Sequence, residues 1–315
     1  MKHIFYTILV LVIFITGCEK PFHPEIPSVP EKLVLYSQFS PDNEWSVYLT
    51  KSRSVLSNEP FSPLPNAEIQ IFDEAALVST LTFSQETGLY NSDEKPVAGM
   101  TYELVASVEG FADVKSTDEI PVSGVEIESF SFLDKSENGD DIFSLSFRDI
   151  LPQDDYYHLV VILQKYEYTA VAGADTSFVL LDERPARFSI DEDTRPDNSP
   201  ANIIPSITTQ NFEGVLVEDS DFNNGQAEIF LQVWNEIEND MPDKIAYGYV
   251  VELRSVSEAY YLYQKTLTEQ LGENATIGIH EVPRTFPIDI YNNIENGLGN
   301  FSGYSVVNSS LVWKQ

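Results

Sequence analysis

Apolar side chains recur at every second position over most of the chain. Leu33 and Leu35, then Trp45, Val47 and Leu49, then Ala67, Ile69 and Ile71, then Tyr102, Leu104, Ala106 and Val108 alternate with polar or oppositely facing residues. That period is the mark of strands with one face buried. Turn-forming residues separate these runs at Pro41-Asp42-Asn43, Pro63-Leu64-Pro65-Asn66, Thr87-Gly88, Pro96-Val97-Ala98-Gly99 and Glu109-Gly110. Short strands punctuated in this way predict a β-sandwich over residues 32–121. The same period resumes beyond Pro121 with Phe143/Leu145/Phe147, Tyr157/Leu159/Val161/Leu163, Val179/Leu181, Ala227/Ile229/Leu231/Val233 and Tyr247/Tyr249/Val251/Leu253. A second β-sandwich-like domain is therefore expected over residues 122–315.

Two stretches break the alternation. Residues 182–205 turn to charges and prolines (Pro185, Pro196, Pro200, Pro205) and read as a long loop, either a binding element or an insertion. Further on, Ser255 and Glu258 have the spacing of a capping box, Tyr260, Tyr263, Leu267 and Leu271 follow at helical spacing, and Gly272 stops the run. This predicts a short amphipathic helix over about residues 256–271, with Tyr260, Tyr263 and Leu267 toward the core and Tyr261 on the flank.

The N-terminus has a different character. Met1, Lys2 and His3 precede a largely apolar run over residues 4–15, which matches a signal peptide and is shorter than the roughly 20 residues that a membrane-spanning helix needs. The run ends Ile15-Thr16-Gly17-Cys18, which resembles the bacterial lipobox. The resemblance implies removal of residues 1–17 and a diacylglycerol thioether on Cys18, the single cysteine of the chain. Acyl chains of this kind hold a protein on a membrane because each buried CH₂ contributes about 0.8 kcal/mol. Pro21, Pro24, Pro27 and Pro30 then make residues 18–31 a stiff, extended tether.

Charge narrows the list of partners. With 50 acidic and 18 basic side chains, the formal net charge of −32 makes nucleic acid and anionic lipid headgroups repulsive partners. One cysteine closes no internal disulfide and builds no thiolate zinc site. His23, His158 and His280 are scattered, and zinc-peptidase, serine-hydrolase and phosphate-loop signatures are absent. Carboxylate pairs are plentiful (Asp140/Asp141, Asp154/Asp155, Asp182/Glu183, Asp191/Glu192/Asp193), as composition alone would produce, and a glycosidase needs only two. Asp219, Asp221 and Asn223 open like a calcium loop, but Asn224 and Phe230 stand where an EF-hand has glycine and glutamate. The competing reading is an Asn224-Gly225 turn into a strand. No cofactor is expected.

Within residues 65–121, Pro65-Asn66-Ala67-Glu68-Ile69-Gln70-Ile71, Gly88-Leu89-Tyr90, Gly99-Met100-Thr101-Tyr102-Glu103-Leu104 and Glu109-Gly110-Phe111 resemble the carboxypeptidase regulatory-like, transthyretin-type sandwich. That likeness makes the first domain Ig/transthyretin-like and says nothing of activity. Over nearly the whole mature chain the sequence resembles the lipoproteins grouped as domain of unknown function 4249. The residues that carry this resemblance are Lys32-Leu33-Val34-Leu35-Tyr36, Trp45-Ser46-Val47-Tyr48-Leu49-Thr50-Lys51-Ser52, Asp221-Phe222-Asn223-Asn224-Gly225, Ser257-Glu258-Ala259-Tyr260-Tyr261-Leu262-Tyr263 and Asn293-Ile294-Glu295-Asn296-Gly297-Leu298-Gly299-Asn300-Phe301. The last run is either a tight β-connection or a ligand loop.

The resemblance implies a Gram-negative, outer-membrane-anchored lipoprotein beside a TonB-dependent transporter, and it implies no catalytic residues. The expected role is non-enzymatic, in ligand capture or in assembly of that transporter. The alternatives are an envelope hydrolase using a carboxylate pair, or a structural or adhesive surface protein. Glu19 and Glu25 are the acidic residues near Cys18, and the choice between periplasmic and cell-surface leaflet stays open.

Overall fold

The computed structural model describes residues 30–54, 57–150, 155–169, 176–190, 209–210, 214–218, 225–234, 244–271 and 288–313. A minor unit comprises Met1–Glu31 and Arg53–Ser57, and the main unit comprises Lys32–Ser52 and Asn58–Gln315. Within the minor unit the Ser57 amide donates to the Ser54 carbonyl (2.9 Å).

The main unit begins with seven strands: β1 (Leu33–Phe39), β2 (Ser46–Lys51), β3 (Glu68–Asp73), β4 (Ala76–Phe83), β5 (Tyr90–Asn91), β6 (Thr101–Ser107) and β7 (Val114–Glu119). It continues with β8 (Val125–Lys135), β9 (Asp141–Asp149), β10 (Tyr156–Thr169), β11 (Ser177–Pro185), β12 (Phe188–Ile190), β13 (Thr209–Gln210), β14 (Val215–Glu218), β15 (Gln226–Val233) and β16 (Ile245–Val256). Helix α1 (Glu258–Leu271) and the long strand β17 (Leu298–Trp313) complete it. Among the described residues the protein is mainly β, with two sheets and one helix toward the C-terminal end, as the period-two alternation predicts.

The larger sheet has thirteen strands in the order β13-β14-β10-β16-β17-β1-β2-β5-β4-β3-β6-β7, with β11 paired to β10 beside that path. The smaller has four, in the order β12-β15-β9-β8. The Ala67/Ile69/Ile71 and Tyr102/Leu104/Ala106 runs pair directly, with Ile69 opposite Ala106 and Ile71 opposite Leu104. One connection is long-range and parallel: β1 pairs with β17, Val34 facing Leu298 and Phe39 facing Gly303.

Alternation places the core where it was expected. Leu33, Leu35, Trp45, Val47, Leu49, Ile69, Ile71, Tyr102, Leu104 and Ala106 are buried in one cluster, completed by Ile294 and Phe301 from the C-terminal segment. Phe301 stacks on Phe39 with ring centroids 4.3 Å apart. A second cluster lies between the four-stranded sheet and strands β14, β10 and β16, and holds Phe143, Leu145, Phe147, Tyr157, Leu159, Val161, Ile229, Leu231, Tyr249 and Val251. Side chains of this size each stabilise the fold by about 1.5–3 kcal/mol when fully buried.

Three expectations are corrected. Val179 and Leu181 alternate like buried residues, yet both are exposed, because β11 pairs at the side of β10 and its faces stay open. The loop expected over 182–205 is partly strand, since β11 runs to Pro185 and β12 occupies Phe188–Ile190; residues 191–205 lie outside the described residues. Helix α1 starts at Glu258, because Ser255 and Val256 remain in β16, paired with both β10 and β17.

Candidate functional site: a polar junction under helix α1

Helix α1 is capped by Ser257. Its hydroxyl accepts from the Tyr260 amide (3.2 Å), the geometry of an N-cap residue serving N3. The capping box read from Ser255 therefore does not form. Ser255 instead accepts the Gly124 amide (3.1 Å), and Glu258 stands in the first turn, where the helix dipole favours a negative charge. The buried stripe of α1 is Tyr260, Tyr261, Gln264 and Thr268, whereas Tyr263 and Leu267 are half-buried. The helix packs Tyr260 and Tyr261 against Leu216 and Val256, with Tyr156 and Tyr304 alongside, while their hydroxyls reach polar partners on the sheet, and Tyr263 packs against Tyr36 of β1 (5.7 Å between ring centroids).

Polar side chains of the sheet anchor this helix. The fully buried His158, on β10, has Nδ1 2.8 Å from the Tyr260 hydroxyl. Arg254, on β16, donates from Nε (3.0 Å) and Nη2 (2.7 Å) to Glu252 Oε2, and its guanidinium lies 5.2 Å from the Tyr304 ring centroid. Burial works against the charge on Arg254, but neighbouring Tyr260, Glu252 and Tyr304 more than offset it and hold the pKa above the ordinary value. Tyr261, expected on the flank, is buried instead: it donates to Glu218 Oε1 (2.5 Å), stacks on Tyr156 (4.5 Å), and accepts from Lys265 Nζ (3.2 Å).

Asp118, on β7, joins the helix to the sheet. Its Oδ2 accepts from Ser257 Oγ (2.5 Å) and from the Gly303 amide (2.8 Å), so one carboxylate oxygen ties β7, the start of α1 and β17 together. Burial pushes its pKa up from 3.8 to about 6, against the lowering effect of those hydrogen bonds, and the charge of Glu119 adds to the rise. Nearby Tyr291 is also shifted up, first by burial and then by the charges of Asp118 and Glu258.

The asparagine-glycine run near the C-terminus is a tight β-connection. Asn293 accepts the Phe301 amide at Oδ1 (3.1 Å) and donates from Nδ2 to the Phe301 carbonyl (2.7 Å), while its own carbonyl accepts from Ser116 (2.9 Å). Glu295 and Lys115 exchange backbone hydrogen bonds, which lays the run against β7. Gly299 has φ +121° and lies so close to β1 that a Cβ would sit 1.8 Å from the Leu35 carbonyl oxygen. Glycine is thus required by the parallel β1–β17 contact. Asn300 is buried and donates to the Ala259 carbonyl (3.2 Å), which fixes β17 to the helix start.

The remaining predicted residues scatter. Cys18, His23, His280, Asp154, Asp191, Glu192, Asp193 and the calcium-loop candidates Asp219, Asp221 and Asn223 lie outside the described residues. Buried Asp141 is held by Lys135 Nζ (2.6 Å) and the Tyr249 hydroxyl (3.2 Å), and Asp140 accepts from Gln232 (2.9 Å). Asp182 and Glu183 are consecutive on β11, so their side chains leave on opposite faces and do not converge. Asp118 and Arg254 were missed, because an aspartate in an exposed-looking Lys-Ser-Thr-Asp-Glu strand carries no local sign of burial. Ser257, two residues after Ser255 in a Ser-Val-Ser run, is the one signal that pointed to the junction.

Among solved structures, the chain is similar to a DUF4785 family protein from Legionella pneumophila at 7% identity, covering 70% of this chain and 51% of that one with a TM-score of 0.23. It is also similar to trypsin-activated alpha-2-macroglobulin from Escherichia coli at 10% identity, covering 76% of this chain and 15% of that one with a TM-score of 0.21. The chain thus spans about half or less of the length of either protein. No curated protein matches it. A family model covers residues 19–310, including both sheets, the helix junction and the glycine-asparagine connection, and on that match the chain belongs to the family described as domain of unknown function DUF4249.

Proposed function

We propose that this chain is an outer-membrane-anchored lipoprotein, held by lipid on Cys18, that works by binding as an accessory ligand-capture or assembly partner of a TonB-dependent transporter. The anchor reading rests on Ile15-Thr16-Gly17-Cys18 and the proline tether behind it. The binding reading is carried by how the junction uses its polar groups. Asp118, His158 and Arg254, the buried or shifted groups to which a reaction would look for an acid, a base or a charge clamp, are each engaged with α1 or β17, Arg254 through the Tyr260 hydroxyl (3.5 Å) and the Tyr304 ring. Divergence of Asp182 and Glu183 weighs further against the hydrolase alternative.

The test is affinity purification of the full chain from its native membranes in mild detergent. Co-purification of a TonB-dependent transporter, together with loss of membrane sedimentation in a Cys18→Ser variant, is the expected result. A chain that sediments equally with or without Cys18, or that never brings a transporter with it, refutes the reading.

A further inference from the structure

A strand at the side of a sheet exposes a row of N–H and C=O groups, and folded proteins blunt such edges by shortness, bulges, charge or cover. Most described edges here obey that rule. β13 has two residues and β12 has three. β8 carries two register shifts and bears Glu126, Glu128, Asp134 and Lys135. β11 bulges at Leu181 and carries Asp182, Glu183 and Arg184. β7 is partly covered through the Lys115–Glu295 bridge.

The second half of β17 departs from it. β1 accompanies β17 only from Leu298 to Gly303, whereas β16 follows it on the other side from Tyr304 to Trp313. Beyond Gly303, the side of β17 turned away from β16 has no strand beside it among the described residues. The groups lining this edge follow from the ladder. Ser257 donates to the Gly303 carbonyl (3.1 Å), so odd-numbered residues of β17 aim their backbone groups at β16. The even-numbered Tyr304, Val306, Asn308, Ser310 and Val312 aim theirs outward. No register shift interrupts this ladder, and Leu298–Trp313 contains neither a charged residue nor a proline.

We propose that this half of β17 is a self-association edge, along which two copies of the chain pair antiparallel about a two-fold axis at Asn308. Charge selects a second copy. A net charge of −32 sets two chains against each other over most of their surface. The uncharged run of β17 is where they meet without that repulsion, and beside it on β16 Glu252 and Arg254 neutralise each other (2.7 Å). An acidic or basic partner strand would find no counter-charge here.

A two-fold normal to the sheet makes the contact isologous. Centred on Asn308, it engages all five outward residues: Asn308 meets its own counterpart, Val306 meets the partner's Ser310 and Tyr304 meets the partner's Val312. On the opposite face, Val307 and Leu311, half-buried against the core between the two sheets, come opposite the partner's Ser309 and the partner's Ser305 and gain cover. The residual long-range repulsion makes the dimer tighten as salt rises.

The experiment is sedimentation of the full-length chain in detergent across a dilution series at low and high salt. The expected result is a concentration-dependent dimer, stronger at high salt and weakened about tenfold or more in Asn308→Pro, where each copy loses the amide that donates across the axis. That amide points away from β16, so the variant keeps its circular dichroism. Cross-linking tests the register separately, on Cys18→Ser, which leaves one thiol per chain once a cysteine is added. In Asn308→Cys the paired Cα atoms lie about 5.5 Å apart, inside the about 4.4–6.8 Å that a disulfide spans. Mild oxidation then yields a covalent dimer. Ser310→Cys does not, because it faces Val306 and its two thiols stand roughly 13 Å apart along the ladder. A monomer at every concentration, as expected if a different protein takes this edge, overturns the proposal. So does a dimer indifferent to Asn308→Pro, or equal cross-linking of the two cysteine variants. None of these readouts depends on a transporter or on acylation of Cys18.

Discussion

Asp118 allows the helix junction to be tested by magnitude and by sign. Its pKa is raised from 3.8 to about 6 in the folded chain, with burial the leading cause. The folded state therefore holds this proton more tightly than the unfolded state, and the stability that Asp118 contributes is fully present below about pH 3.8 and lost as pH rises through about 6. A shift of about two units corresponds to about 3 kcal/mol. The carboxylate keeps some contact with solvent, so screening reduces the effect to about 1–2 kcal/mol. Asp118→Asn keeps an acceptor for Ser257 and the Gly303 amide but cannot ionise. Urea unfolding followed by tryptophan fluorescence, at steps from about pH 4 to about pH 8, gives the difference between variant and wild type. That difference is expected near zero at the acid end and to grow to about 1–2 kcal/mol in favour of asparagine above pH 6, while the other titrating groups cancel. A difference that does not change with pH, or an asparagine variant that is less stable at about pH 8, refutes the view of Asp118 as a buried acid held against its charge.

Gly299→Ala places a methyl group 1.8 Å from the Leu35 carbonyl oxygen at φ +121°; it is expected to cost about 3 kcal/mol or more, or to prevent folding, as read by protease resistance. Gly110→Ala, where φ is +88° and nothing lies within 4 Å, serves as its control and costs about 1–2 kcal/mol from backbone strain alone. Arg254→Met leaves Glu252 half-buried without its cation and should destabilise by about 3 kcal/mol in denaturant unfolding, with much of the loss recovered in Arg254→Met/Glu252→Gln.

Strand content was readable because one buried face stamps a period of two onto the sequence, and Trp45/Val47/Leu49 or Leu145/Phe147 behave accordingly. That pattern is local. It reports that a residue faces apolar surroundings, not which distant segment supplies them, so nothing at Phe301 announced that it stacks on Phe39. β11 shows the converse: Val179 and Leu181 carry the same alternation while facing solvent, since period two cannot tell a strand's inner face from an open one. Tyr263 and Leu267 were drawn toward the core by hydropathy, yet the sheet beneath α1 offers His158 and Arg254, and the side that docks is the one with Tyr260, Gln264 and Thr268. The junction stayed hidden for a related reason, because Asp118 belongs to a strand whose alternate residues are charged and exposed.

The parallel pairing of β1 with β17 sets an order of events in folding. The first strand of the globular part begins at Leu33, and the strand that seals its open side begins at Leu298. A chain emerging from its N-terminus has β2 available at once but lacks Ile294, Phe301 and the Asn293 clamp until about 260 further residues have followed the start of β1. Contacts of such sequence separation are slow to close, since the loop entropy is lost before the contact is gained. The core built on β1 and β2 therefore closes only when residues 293–303 reach it. Truncation before Asn293 should then unsettle the N-terminal strands as well as remove β17.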